Sequence, residues 1–171
     1  MTADSTGESG GAPIPDDAAA LVRALTDARR QVLGTIDGAS DADLRRRPAA
    51  DEWSMIEVIA HLADVDAHWL GQALAIRDDP EHLFVHFDDG RWKREHPGVR
   101  DEPTERVLAR VERAHRAVLE TLAALTPGEL DRAGRHPRGV PYTIREVFGR
   151  HVAHDESHAA QLAAIRARLG A

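Results

Sequence analysis

The chain has 171 residues, of which ten are histidine and none is cysteine. Without cysteine there can be no disulfide, no thiolate-ligated metal site and no thiol nucleophile, so any metal must be held by histidine and carboxylate side chains. The formal net charge of -7, from 29 acidic and 22 basic residues, argues against nucleic acid as a partner.

The first 15 residues are small, polar and rich in glycine and proline, and they lack the apolar side chains that would offset the entropy of ordering. We therefore expect a disordered leader over 1–15 and one domain over 16–171. The sequence shows no basic and apolar secretory signal, and no apolar stretch approaches the ~18 to 20 residues that cross a bilayer. These features predict a cytoplasmic protein that does not bind membranes.

Apolar residues at helical spacing predict a first helix that begins at Asp16 and ends at Gly38. A second helix begins at Ser54, which can form a capping box with Glu57, and runs to about Arg77. The Asp-Asp-Pro sequence that follows stops this helix, because proline cannot continue it.

Two further helices are predicted in the C-terminal half. The third has Pro103 at its first position, where the missing amide hydrogen is not needed, and it ends before Thr126. The fourth begins with a second capping box, formed by Thr143 and Glu146, and continues to Leu169. No segment shows the alternating pattern of a strand, so we expect an all-α protein.

The two predicted helix pairs resemble each other, as small insertions in a duplicated hairpin would produce. The matching segments are Trp53-Ser54 with Tyr142-Thr143, Glu57-Val58 with Glu146-Val147, and His61-Leu62-Ala63 with His151-Val152-Ala153. Two hairpins joined by a long crossover, roughly Asp79 to Glu102, make a four-helix bundle. The crossover is rich in histidine and aromatic residues, and ordered connections of this length often cover a site.

Histidines occupy positions of the predicted helices where inward-facing apolar residues are expected. In the fourth helix, His154 and His158 are i,i+4 neighbours that can reach one ion. Burying several imidazoles costs about 1–3 kcal/mol for each unsatisfied group, whereas a shared divalent cation uses their nitrogens as ligands. The inward-facing histidines are His61, His68, His115, His151, His154 and His158.

We therefore predict a metal site formed by His154 and His158 together with His61 from the facing helix. Three protein ligands leave coordination positions open for water or substrate, which is typical of a reactive site. Two carboxylates are candidate general bases for a hydrolase, namely Asp64, on the same side of its helix as His61, and Asp155, which directly follows His154.

The sequence resembles the DinB/YfiT-like family of metalloenzymes, whose DinB-like domain is related to thiol S-transferases and mycothiol-dependent maleylpyruvate isomerases. The resemblance covers about residues 16–169. It implies a four-helix bundle of up-down-down-up order, with one long crossover between the second and third helices. It rests on Glu52-Trp53-Ser54, on His61-Leu62-Ala63-Asp64 and on the segment HDESHAAQL at 154–162.

The resemblance also implies a zinc or nickel ion held by His61, His154 and His158. It does not make His151 a ligand, although the repeat aligns this residue with His61. We expect four residues to lie beside the ligands or in the site pocket, namely His68, His115, His151 and Gln161.

In function, the resemblance implies a metal-dependent thiol S-transferase that attaches a low-molecular-weight thiol such as mycothiol to a small electrophile. The metal would lower the pKa of the thiol, and a chain without cysteine would take its thiolate from the cosubstrate. Two alternatives stay open, namely a hydrolase that uses a metal-bound hydroxide and a non-catalytic metal-binding protein of a stress response. The family resemblance also predicts a homodimer.

Overall fold

The computed structural model describes residues 14–170. The predicted leader over 1–15 therefore lies almost entirely outside the described residues, and the domain boundary at residue 16 stays a prediction. Within the described range, none of the helices combines the length and the apolar character of a membrane span.

Four long helices dominate the described chain, and their ends agree closely with the predicted ones. Three short helices and two short strands lie between them. In chain order, the elements are α1 (Ala18–Ile36), α2 (Asp41–Arg45), α3 (Met55–Asp78), α4 (Asp89–Glu95), α5 (Thr104–Ala124), α6 (Pro127–Leu130), β1 (Ala133–Arg135), β2 (Pro141–Thr143) and α7 (Ile144–Leu169).

The long helices α1, α3, α5 and α7 form a bundle of up-down-down-up order, which confirms the predicted topology. Helices α1 and α7 are parallel, because Arg29 contacts Asp155 while Thr35, further along α1, accepts a hydrogen bond from Arg166, further along α7. Helices α3 and α5 run the other way. The end of α1 shares one apolar cluster with the beginnings of α3 and α5, and the beginning of α1 shares a second cluster with their ends.

A layer of buried polar side chains separates these two apolar clusters. Its members come from all four long helices, and each is at most 9% exposed. Because polar groups lose hydration on burial, such a layer needs hydrogen bonds among most of its members. The layer consists of Arg29, Asp66, His115, His151 and Asp155.

Both predicted capping boxes are present and fix the beginnings of the two helices that carry the candidate ligands. At α7, the carboxylate of Glu146 accepts a hydrogen bond from the Thr143 amide at 2.6 Å, and the Thr143 hydroxyl accepts one from the Glu146 amide at 3.1 Å. At α3, the carboxylate of Glu57 accepts hydrogen bonds from the amide and the hydroxyl of Ser54, both at 2.8 Å, and also pairs with Arg47.

The Glu57–Arg47 pair should make the protein sensitive to acid. Burial opposes ionisation of Glu57, but hydrogen bonds from Arg47 and Ser54 outweigh it and lower the pKa from 4.5 to about 2. Between these pH values the unfolded chain binds more protons, so the contribution of the pair is complete above pH 4.5 and is lost as the pH falls towards 2. Glu57→Gln should lower the free energy of unfolding at pH 7 by about 2 kcal/mol.

Urea unfolding between pH 7 and 2.5 measures this contribution. The variant should lose less stability than the wild type as the pH falls, because it has already lost the ion pair. The control is Asp27→Asn, which removes an exposed pair with Arg30 and should change stability little. Equal acid dependence in the wild type and in Glu57→Gln would contradict the prediction.

The expectation of no strands is wrong at one place, where β1 and β2 form an antiparallel hairpin. The crossover joins this hairpin, because the Phe84 amide donates to the carbonyl of Arg135 and the Arg135 amide donates to that of His82, both at 2.8 Å. Gly134 permits the close approach, since a Cβ there would lie 2.7 Å from the His82 carbonyl oxygen. Strands of three residues are too short to show an alternating pattern.

The crossover is more ordered than a plain connection. Between α3 and α5 it contains α4 and a single 3-10 turn over Val99–Asp101. Three of its apolar side chains, Phe84, Trp92 and Val99, are at most 5% exposed and hold it against the bundle. Helix α4 is thereby placed beside His61 of α3.

Candidate metal centre

Three histidines from two helices converge at one point of the bundle. His61 comes from α3, and His154 and His158 come from successive turns of α7. One ring nitrogen of each lies within 4.8 Å of the others. The Nε2 atoms of His154 and His158 are 3.1 Å apart, and the ring centre of His61 lies 5.5 Å and 5.1 Å from theirs. The structure therefore brings together the three residues predicted to bind a metal.

These imidazoles are neutral near pH 7. Burial, assisted by the nearby His158, lowers the pKa of His61 to about 3. Burial also lowers the pKa of His154 and of His158. Neutral rings with free lone pairs are the form in which histidine binds a metal.

The ring nitrogens of His61 lack hydrogen-bond partners. The side chain is fully buried, and within residues 14–170 neither its Nδ1 nor its Nε2 forms a hydrogen bond. An unsatisfied buried polar group costs about 1–3 kcal/mol, and coordination to a cation removes that cost. The residues present therefore fit a divalent cation bound by nitrogen ligands.

Gln161 fixes the orientation of one candidate ligand. Its Oε1 accepts a hydrogen bond from Nδ1 of His158 at 2.7 Å. With the proton on Nδ1, the lone pair on Nε2 of His158 is directed towards His154. Hydrogen bonds of this kind set the tautomer of metal-binding histidines.

Aromatic side chains surround His61 on its remaining sides. Trp53, which precedes α3, and the crossover residues Phe87 and Trp92 all have ring centres within 5.2 Å of the His61 ring. The two tryptophans stack on each other with centres 5.4 Å apart. The crossover therefore covers His61, which is one of the two interpretations that its length and composition left open, the other being a plain surface connection.

Asp89, at the beginning of α4, is a site residue that the sequence reasoning missed. Its Oδ1 lies 3.4 Å from Nε2 of His61, although the two groups are not aligned for a hydrogen bond. Partial burial raises the pKa of Asp89, while His158 opposes this rise. The sequence offered one signal for this residue. Asp88 and Asp89, which precede Trp92, are residues typical of a helix beginning and so indicate a short helix within the crossover.

The two carboxylates predicted as general bases have other partners. Asp64 accepts a hydrogen bond from Nε1 of Trp92 at 2.6 Å, which anchors α4 to α3. Asp155 is fully buried and accepts hydrogen bonds from Arg29 at 2.8 Å and 3.2 Å. Their role as bases stays a prediction, whereas Asp89 is the carboxylate that lies 3.4 Å from His61.

The remaining predicted site residues lie outside the cluster of three. His68 contacts the carbonyl oxygen of Val85 through Nε2 at 2.7 Å and so holds the crossover. His151 contacts Oδ1 of Asp66 at 2.7 Å through Nε2. His115 has no hydrogen-bond partner in the described part of the chain, and burial lowers its pKa to about 4.

A second group of potential ligands, Asp66, His151 and Asp155, belongs to the buried polar layer. Arg29 donates hydrogen bonds to all four oxygens of the two carboxylates at 2.8–3.2 Å. Burial alone would lower the pKa of Arg29, but Asp66 and Asp155 outweigh this and raise it, so the guanidinium stays charged. Arg29 thus already supplies the positive charge that these carboxylates require.

Comparison with known proteins agrees with this fold. YfiT from Bacillus subtilis, a solved structure, is similar with a TM-score of 0.77 and 18% sequence identity, over 95% of this chain and 93% of that chain. That protein is described as a probable metal-dependent hydrolase with an unusual four-helix bundle topology. No curated protein sequence matches the chain at a significant level. The DinB superfamily matches residues 24–162, well over half of the sequence, and the chain belongs to this superfamily.

Proposed function

We propose that the chain binds one divalent cation through His61, His154 and His158 and uses it to hydrolyse a small-molecule substrate. The observation that carries this proposal is the convergence of three neutral imidazoles whose ring nitrogens lie within 4.8 Å of one another. A cation with three protein ligands and an open position polarises a substrate carbonyl and lowers the pKa of water. The similarity in fold to a protein described as a metal-dependent hydrolase supports the same reaction class.

In this proposal Asp89 is the general base. Its carboxylate lies at the edge of the histidine cluster, 3.4 Å from Nε2 of His61, and its side chain is 62% exposed. It can therefore accept a proton from a water molecule beside the cluster and pass it to solvent. Trp92, which is buried on the same helix and hydrogen-bonded to Asp64, anchors α4 to α3 and so positions Asp89.

In this proposal the substrate binds in a cavity of about 290 Å³ whose lining includes two residues that contact the histidine cluster. Trp53, which contacts His61, and Gln161, which holds His158, both line this cavity. Ala164 and Ile165 add an apolar wall, and the ion pair of Glu52 with Arg168 forms its polar side. This lining suits a small molecule with an apolar part and a polar reacting group.

A thiol S-transferase is the second candidate, and the apolar wall of the cavity, which suits a small electrophile, favours it. Because the chain has no cysteine, the thiolate would come from a cosubstrate. A low-molecular-weight thiol such as mycothiol would then occupy the open position, and the metal would lower its pKa. A small electrophile would bind against Trp53 and Ile165. We also propose that the metal is zinc or nickel, both of which suit imidazole ligands, and that the protein is a cytoplasmic homodimer.

The experiment loads the protein with zinc or with nickel and assays nitrophenyl ester hydrolysis, and separately the conjugation of mycothiol or glutathione to chlorodinitrobenzene. Metal-dependent ester hydrolysis supports the hydrolase. Thiol conjugation without hydrolysis supports the transferase instead. Metal binding with no turnover of either kind would contradict both and leave a metal-binding protein without catalytic activity, such as one of a stress response.

Asp89→Asn tests the role of the base. It should retain the full metal content and lower kcat about 100-fold or more, because the amide cannot accept the proton. The control is Glu95→Gln on the same helix, which removes an exposed pair with Arg91 and should leave kcat unchanged. An unchanged kcat in Asp89→Asn, or a loss of metal, would contradict the assignment as a base.

A further inference from the structure

A second cavity, of about 240 Å³, lies away from the histidine cluster, between the crossover, the β-hairpin and the first turns of α7. Four basic residues line it, although the chain as a whole is acidic. They come from three separate segments of the chain. These residues are His86 of the crossover, His136 and Arg138 of the hairpin loop, and Arg150 of α7.

Both guanidinium groups at this cavity are available. Among residues 14–170, neither Arg138 nor Arg150 donates a side-chain hydrogen bond or forms an ion pair. By contrast, Arg145 on the same helix is held by Asp131 at 2.6 Å. The one carboxylate in the lining, Glu146, accepts hydrogen bonds from the amide and the hydroxyl of Thr143 in the capping box. The negative charge of Glu146 offsets one of the two guanidinium charges, so the lining retains a net positive charge from the arginines.

The hairpin loop also presents an imidazole N–H. Nδ1 of His136 accepts a hydrogen bond from the amide of Arg138 at 3.1 Å, so in the neutral ring the proton is on Nε2. The loop is held in this shape by hydrogen bonds of 2.8 Å between the Gly139 amide and the His136 carbonyl and of 2.9 Å between the His136 amide and the Val140 carbonyl. Gly139 adopts a φ of 79°, which glycine tolerates best.

The two imidazoles of the cavity lie in an environment that disfavours their protonation. Burial and the charges of Arg138 and Arg150 lower the pKa of His136, and burial together with Arg150 and the neighbouring basic groups lowers that of His86. The two imidazole rings lie 5.2 Å apart. Tyr142 forms an aromatic wall against His136, with ring centres 5.0 Å apart.

We propose that this cavity binds the oxyanion of a small ligand, either a carboxylate or a phosphate group. Two guanidinium groups can each form paired hydrogen bonds to such an anion, and the imidazole N–H of His136 supplies a further donor. The exposed side chain of Val140 provides apolar contact for the rest of the ligand. None of these residues belongs to the cluster of three histidines, so binding does not depend on a metal.

The test is calorimetric titration of the protein at low ionic strength with inorganic phosphate and, separately, with butyrate. At least one of the two should bind and should shift the NMR resonances of the His136 ring. Arg138→Gln and Arg150→Gln should each weaken that binding about tenfold. Tighter binding of phosphate or of butyrate identifies the class of the natural ligand. Failure of both probes to bind would overturn the proposal.

Two controls distinguish binding in this cavity from non-specific attraction and from binding at the metal centre. Arg113→Gln removes a charge from the exposed face of α5 and should leave affinity unchanged, so an equal loss in this variant would show non-specific attraction and overturn the proposal. His154→Ala should also leave affinity unchanged. Loss of binding in that variant would place the anion on the metal centre and would likewise overturn it.

Discussion

Arg29→Met should lower the free energy of unfolding by about 3–5 kcal/mol. Arg29 is 3% exposed, and its guanidinium donates to both oxygens of Asp66 and of Asp155. Methionine fills a similar volume but leaves two buried carboxylates with a single hydrogen-bonding neighbour, His151. Removing one partner of a buried ionic network lowers the stability by more than the intact network contributes to it, because the remaining charges stay buried without a counter-charge.

Urea unfolding at pH 7 in the presence of a chelator measures this loss without any contribution from bound metal. The matched control is Arg30→Met, the next residue on α1, whose ion pair with Asp27 is largely exposed. That variant should lose at most about 0.5 kcal/mol. A loss below about 1 kcal/mol in Arg29→Met would contradict the assignment of Arg29 as the cation of the buried layer.

His154→Ala should weaken binding of a divalent cation at least about 100-fold, since it removes one of three proposed ligands. Changes in residues that only orient ligands already cost 10- to 100-fold. The fold should tolerate the change, because Nδ1 of His154 has no hydrogen-bond partner in the described chain and its Nε2 contacts only His158. The metal content is measured by mass spectrometry on protein purified without a nickel column.

His115→Ala is the control for this loss, because it also removes an inward-facing and nearly buried imidazole. His115 belongs to the polar layer, with Nδ1 at 4.0 Å from Oδ2 of Asp66, and not to the cluster of three. This variant should retain the metal. Full metal retention in His154→Ala, or an equal loss in both variants, would contradict the proposed ligand set.

The sequence predicted the features that depend on local periodicity and on helix ends. The seam of α7 placed His154 and His158 one turn apart, and the two capping boxes placed the beginnings of α3 and α7. In a bundle, inward-facing positions of neighbouring helices meet, so His61 was predicted opposite them. That the three rings lie within reach of one ion follows from these local rules.

Other site features depend on contacts between distant segments, and local patterns did not reveal them. In the sequence, Arg29 resembles a solvated residue of an amphipathic helix. Its burial is explained only by its partners Asp66 and Asp155, which lie 37 and 126 residues further along the chain. Asp89 approaches His61 because Trp92 packs against the bundle and orients α4. The β-hairpin is stabilised by hydrogen bonds between the crossover and Arg135. The sequence of a three-residue strand cannot predict a contact with so distant a segment.

The most direct test of the metal centre is X-ray absorption spectroscopy of the protein loaded with one equivalent of zinc. We expect three imidazole nitrogens at about 2.0–2.1 Å, completed by water oxygen, and two imidazoles in His154→Ala. A zinc environment with fewer than three imidazoles in the wild type, or one that His154→Ala leaves unchanged, would contradict the assignment of His61, His154 and His158 as the ligands.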